Sequence, residues 1–312
     1  MDALFGRDAA PMFHAWHVAR YIDAIAAAGK AEKPLPMYVN AALPGSAVAW
    51  QDPETYASGG PVPAAIDVYK VAAPHIDVAA PDIYNPDHAH YLGFLDAYAR
   101  ADNPLFVPET GSAAAYARFF YAAVGRGAIG FAPFGMDATG YSNFPLGARA
   151  VDDATVAAFA APYRLFGPLA RVWPQLALDG RTWGIAEPTD PAAAHRQVAE
   201  LGRWRATVTF GQPQFGFDPP KGNDPVAGGV AIAELGPDDF LIAGARARVT
   251  LDRVGAPKGE AWLIARVEEG HYDAAGAWVF ERVWNGDQTD YGLNLVDPTL
   301  LRVRLASYRT GR

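Results

Sequence analysis

Cysteine is absent from the 312 residues. That excludes disulfides, zinc–thiolate centres and thiol nucleophiles, and is compatible with any redox compartment. There is no Lys/Arg-rich run, and the formal net charge is −8. Nucleic acid and anionic membrane are therefore not expected as main partners. No apolar stretch approaches the ~18 residues that a membrane span requires. The opening Met1-Asp2-Ala3-Leu4-Phe5-Gly6-Arg7-Asp8 lacks a basic region followed by an apolar one, so no signal peptide is read there. Gly59-Gly60 has no Walker or dinucleotide-binding context, so phosphate cradling is not expected. What is present is apolar and aromatic. The chain is 51% hydrophobic, enough for a large core, and carries 8 Trp, 14 Tyr and 16 Phe. Such a content suits sugar stacking and ordinary cores alike. The length suggests two domains.

In the first part of the chain, elements alternate. Met12, Trp16, Ala19, Ile22, Ile25 and Ala26 recur at helical spacing over 11–29, and Gly29 stops the run. Leu35–Asn40 then reads as a buried strand ending in a polar residue. A long loop from Leu43 to Pro63 holds Trp50 and Tyr56, and loops of that length are usually functional or disordered. A short helix is expected over 62–73, a strand over Ile76–Tyr84, and a helix over 89–101. Pro104–Thr110 follows, an apolar run ending in Pro108 and Glu109. Helix over 112–124, strand over Ala128–Asp137 and helix over 151–173 complete the series. Alternation of this kind predicts a parallel sheet with covering helices, and a carboxylate at the C-terminal end of such a strand faces an active-site mouth in α/β barrels. The competing role for Glu109 is structural, an acid opening the next helix. His14 and His17 read as ordinary helix residues, and His88 and His90 as members of a solvated loop rather than metal ligands.

After about residue 178 the pattern changes. Strand-like stretches appear at Trp204–Phe210, Gly229–Ala233, Phe240–Ala243, Ala247–Leu251, Ala261–Val267, Ala277–Val283 and Leu301–Leu305. Turn-forming residues separate them, as in Gly211-Gln212-Pro213 and Asp218-Pro219-Pro220. Short strands between turn signals suggest an antiparallel sandwich-like domain. The expected division is 1–178 and 179–312.

Five ordered motifs carry a resemblance to a known family. They are Ala15–Tyr21 (AWHVARY), Leu35–Ala41 (LPMYVNA), Ala80–Tyr84 (APDIY), Phe106–Glu109 (FVPE) and Gly130–Gly135 (GFAPFG). Arg282–Gly292 (RVWNGDQTDYG) adds to them in the β-rich part. Together they resemble bacterial β-galactosidases of glycoside hydrolase family 35, in the branch with a C-terminal β-rich domain. The resemblance implies an eight-stranded (β/α)8 TIM barrel, of which this chain would hold strands five to eight. It implies a retaining hydrolase of terminal β-D-galactosides with Glu109 as nucleophile. It requires no metal and no cofactor, only a carbohydrate substrate. Asn40, Tyr84 and Phe134 are the candidates for sugar contact, with Trp50 and Tyr56 as walls. Asp82 reads as structural, and Asp137 as a weaker candidate still. The family's acid/base follows an Asn, yet no Asn-Glu pair occurs in this sequence. On this reading the acid/base half of the barrel is missing from the chain. Two open sheet edges would then bring instability, self-association as a homo-oligomer, or a longer gene product. A signal peptide on the missing half would place the protein in the periplasm or outside the cell. The alternative, from a different class, is a non-catalytic carbohydrate-binding or interaction protein using Trp262, Trp278 and Trp284 in the β-rich part.

Overall fold

A computed structural model of the chain describes residues 2–137, 139–142, 144–190, 196–211 and 220–310. The expected turn at Gly211–Pro213 and the start of that at Asp218 lie mostly outside them. Packing divides the chain into two compact units, 1–112 with 128–150, and 113–127 with 151–312.

The first unit is α/β. Helices α1 (Asp2–Phe5) and α2 (Ala9–Glu32) precede β1 (Tyr38–Ala42), α3 (Ile66–Ala72), β2 (Val78–Ile83), α4 (His88–Tyr98), β3 (Phe106–Thr110) and, after an excursion into the second unit, β4 (Gly130–Pro133). The four strands pair in sequence order, all parallel. Strand β1 shows which way its faces point. Val39 and Ala41 join a core with Met12, Ala15 and Ala19 of α2 and Tyr69 and Ala72 of α3. The alternate residues Tyr38, Asn40 and Ala42 are exposed, as the two-residue period of a strand dictates. Asn40 thus sits in mid-strand on the open face, two residues before β1 ends at Ala42, rather than at the strand end expected for it.

Two buried polar residues hold the strand ends in register. Asn103 closes the loop before β3, accepting from Ala79 N at 2.8 Å and donating to Ala79 O and Tyr98 O at 2.9 and 3.0 Å. Thr110, next to Glu109, donates from Oγ1 to Ile83 O at 2.9 Å and shares a 2.8 Å hydrogen bond with the Tyr91 hydroxyl. Buried hydroxyls and amides of this kind are retained only when satisfied.

The second unit begins with α5 (Phe119–Gly125), continues through α6 (Asp153–Phe166) and α7 (Trp173–Leu178), and is otherwise antiparallel β. Its strands are β5 (Thr182–Ala186), β6 (Arg196–Leu201), β7 (Trp204–Phe210), β8 (Gly229–Gly236), β9 (Asp239–Ala245), β10 (Ala247–Arg253), β11 (Glu260–Tyr272), β12 (Trp278–Trp284), β13 (Leu293–Leu295) and β14 (Thr299–Arg309). They form sheets of order β13-β10-β7-β6 and β12-β11-β14-β9-β8-β5. The sheets meet where the Trp204 and Trp262 rings pack edge-on at 5.5 Å.

Residue 178 lies inside this second unit, so the packing divides elsewhere than at the expected boundary. The reason is a close contact of α5 with β5. A Cβ on Gly125 would lie 2.1 Å from Gly184 N, so only glycines allow the approach. Thr182 Oγ1 and Trp173 Nε1 then donate to Gly125 O and Val124 O at 3.0 and 2.9 Å. At the edge of the same region Glu187, 1% exposed, accepts from Asn223 N and Nδ2, Ala227 N and Gly228 N at 2.6 to 3.0 Å. These bonds compensate for removing its charge from water.

Candidate active site

The C-terminal ends of β1 to β3 converge on Glu109. The backbone register sets Asp82 of β2 opposite Glu109 of β3, and Ala42 of β1 opposite Asp82. One face therefore collects Asn40, Asp82 and Glu109 from three successive strands. Asn40 Nδ2 donates to Glu109 Oε1 at 3.0 Å, and to Asp82 Oδ1 and Oδ2 at 3.0 and 2.9 Å. The Tyr84 hydroxyl, just past β2, donates to Glu109 Oε2 at 2.9 Å. Each oxygen of Glu109 therefore has its own donor, which fixes the plane of the carboxylate. Hydrogen bonds to a carboxylate are about twice as strong as neutral ones.

Glu109, Asp82 and Tyr84 open into a cavity of about 630 Å³ walled by Leu43, His90, Phe134, Tyr141 and Leu146. Its size and its mixture of a few convergent polar groups with apolar and aromatic walls are those of small-molecule sites. Phe134 is 37% exposed and meets Tyr141 at 6.1 Å between centroids, nearly edge-on. Gly135 makes this possible. Its φ is +70°, and a Cβ there would fall 2.4 Å from the Tyr141 ring.

Burial raises the Asp82 carboxyl, the Asn40 hydrogen bond opposes the rise, and the Glu109 charge adds to it, leaving its pKa at about 6. His90 is lowered, chiefly because half-burial disfavours its cation. Tyr98 on α4 is raised by burial and by Asp82.

The candidates do not all gather here. Asn40, Tyr84, Phe134 and Glu109 are brought together. Trp50 and Tyr56 line a different cavity, of about 400 Å³, with Arg7 and Asp8. The Trp50 indole is drawn there because Nε1 donates to Asp8 Oδ1 at 2.6 Å and the Arg7 guanidinium lies 4.5 Å from its ring. Walling of the Glu109 cavity passes instead to Tyr141 and Leu146, which sequence reasoning did not single out, and to His90, which it read as part of a solvated loop. Asp137 is exposed and accepts from Thr139 as a turn-capping residue. His88 and His90 open α4 rather than lying in a loop, with Asp87 Oδ1 capping His90 N at 2.8 Å. Among the described residues no cluster of three His, Cys, Asp or Glu could hold a metal ion.

Asp82 is the residue whose signal was present in the sequence. It is an acid within an otherwise apolar strand, and its separation from Tyr84 by two residues puts both on one face. Tyr141 and Leu146 gave no such signal, since they follow a loop whose path no local period fixes.

What fold and site define is an α/β unit with a carboxylate-centred cavity at the strand ends, in a chain that also carries two antiparallel sheets. Comparison with known proteins adds a family match over 159–296, to a model described as a domain of unknown function, DUF5597. That stretch belongs to the second unit and contains no residue of the Glu109 cavity. No curated protein matches the chain.

Proposed function

We propose that this protein is a retaining glycoside hydrolase acting on terminal β-D-galactosides, with its parallel sheet as strands five to eight of a (β/α)8 barrel. The observation that carries the reading is Glu109 at a parallel strand end, its two oxygens held by Asn40 and Tyr84 at the mouth of an aromatic-walled cavity. The sheet has helices on one side of β1 and Asn40 on the other, as an inward-facing barrel strand would. The choice of galactose rests on the resemblance of the sequence motifs.

In this mechanism the Glu109 carboxylate attacks the anomeric carbon, and the bond to the leaving oxygen breaks as a glycosyl ester forms. The leaving oxygen takes its proton from a second carboxyl ~5–5.5 Å from the nucleophile, which later deprotonates the water that cleaves the ester. That acid/base is proposed to lie outside this chain. Asn40 and Tyr84 orient the nucleophile, and as the ester forms their N–H and O–H are released to the sugar's ring and 2-hydroxyl oxygens. Phe134 and Tyr141 offer stacking faces to the sugar's C–H surface.

The tryptophans proposed for a binding role in the β-rich part have local partners. Trp278 Nε1 donates to Glu268 and Trp284 Nε1 to Glu269, at 2.9 and 2.6 Å, and Trp262 packs on Trp204. These contacts favour a packing role and add nothing to the binding alternative.

The test is Glu109→Gln in a form of the protein that hydrolyses aryl β-galactosides. Hydrolysis is expected to vanish while galactoside binding persists. A variant as fast as its parent would remove Glu109 from the chemistry.

A further inference from the structure

Asp82 is the one residue of β2 that is not buried, and the one acid in that strand. Its register partner is Glu109, and a single nitrogen, Asn40 Nδ2, stands between the two carboxylates. A primary amide has two N–H donors at one end and a carbonyl acceptor at the other, whereas an ionised carboxylate only accepts. An ionised Asp82 therefore forces the nitrogen end of Asn40 toward itself, and the remaining N–H falls to Glu109. A neutral Asp82 would donate its own O–H to the amide carbonyl equally well. The amide would then be anchored at its nitrogen end by Glu109 alone, and its N–H would be held toward Glu109 less firmly.

We propose that Asp82 is a positioning residue of this site, fixing the Asn40 amide so that an N–H rather than a carbonyl faces Glu109. Its consequence for turnover rests on the glycosidase reading, but the orientation it imposes does not. The groups facing Asp82 are Asn40 from β1, Glu109 from β3 and Tyr98 from α4, with Tyr84 and His90 on the same cavity. With its pKa near 6, Asp82 releases its hold on Asn40 as the solution becomes mildly acidic.

The experiment follows the Asn40 side-chain amide protons by ¹⁵N–¹H NMR in the full chain and in Asp82→Asn as pH is lowered. In the parent protein both resonances are expected to shift with a midpoint near 6, and in Asp82→Asn that titration disappears. Resonances that stay fixed through this range in the parent would overturn the proposal. So would a titration that survives unchanged in the variant, since it would belong to Glu109. Should the variant fail to fold, the Asp82 side-chain carboxyl followed by ¹³C NMR in the parent is expected to titrate with the same midpoint as the Asn40 protons, and a different midpoint would overturn the proposal. No step depends on hydrolysis, so failure here leaves the Glu109→Gln test standing, and the reverse holds too.

Discussion

Glu109 has two oxygens, and two different strands reach it with donors. Tyr84 serves Oε2 and Asn40 serves Oε1. A hydrogen bond to a charged group contributes ~1.5–3 kcal/mol. Tyr84→Phe keeps the ring and loses only the hydroxyl, so in a hydrolysing form kcat/KM is expected to fall about 10- to 100-fold. Steady-state kinetics on an aryl galactoside would show it, and an unchanged kcat/KM would mean the phenol does not serve the reacting carboxylate. Gly135→Ala acts on the opposite wall. Its left-handed backbone and the nearby Tyr141 ring leave no room for a Cβ, so the ring must move. Galactoside affinity is expected to weaken, with far-ultraviolet circular dichroism unchanged. At this scale the sequence showed Glu109, Asn40, Tyr84 and Phe134 because each lies in or directly after a strand, where a two-residue period assigns the face. Trp50 and Tyr56 were misplaced because they belong to a loop, and a loop's path depends on partners such as Asp8 and Arg7 that no local pattern connects to it.

The four parallel strands were legible as elements because each is a short apolar run between turn residues, and their order followed from the intervening helices. Boundaries were less legible. β1 starts at Tyr38 rather than Leu35, and the single helix expected over 151–173 is broken at Gly167-Pro168, where a 3₁₀ turn separates α6 from α7. Strands β5, β6 and β13 were missed for physical reasons. β5 carries a glycine in its centre, β6 is largely polar on its outer positions, and β13 has three residues. The glycine in β5 is also what sets the unit boundary. Gly184→Ala would place a Cβ 2.1 Å from Tyr121 O. Overpacking of this kind costs about 1–3 kcal/mol, so its urea midpoint is expected to fall well below the parent's. An equal midpoint would show that α5 and β5 are not in the close contact described here.

For the molecule as a whole, Asp82 links site and stability. Its folded pKa of about 6 stands above the ~3.9 of an unfolded aspartate. The folded state therefore holds the proton more tightly between these values, and stability is lost as pH rises through that window. Asp82→Asn removes the titrating group. Its melting temperature is expected to exceed the parent's at neutral pH, and the difference should shrink as pH falls toward 4. A variant less stable at neutral pH would contradict the burial and charge described for Asp82. Such a residue is one that folding alone would not select, and the site is where such exceptions concentrate. The family match falls in the second unit, so the proposed chemistry stands or falls on Glu109.

The most direct measurement is covalent trapping of that residue. A 2-deoxy-2-fluoro-β-D-galactosyl fluoride has a leaving group that departs without protonation, so labelling requires the nucleophile and not the acid/base. Intact-mass and peptide mass spectrometry of the treated protein are expected to show one fluorosugar per chain, carried on Glu109 and absent from Glu109→Gln. An adduct on a different carboxylate, or none after prolonged exposure, would contradict Glu109 as the nucleophile.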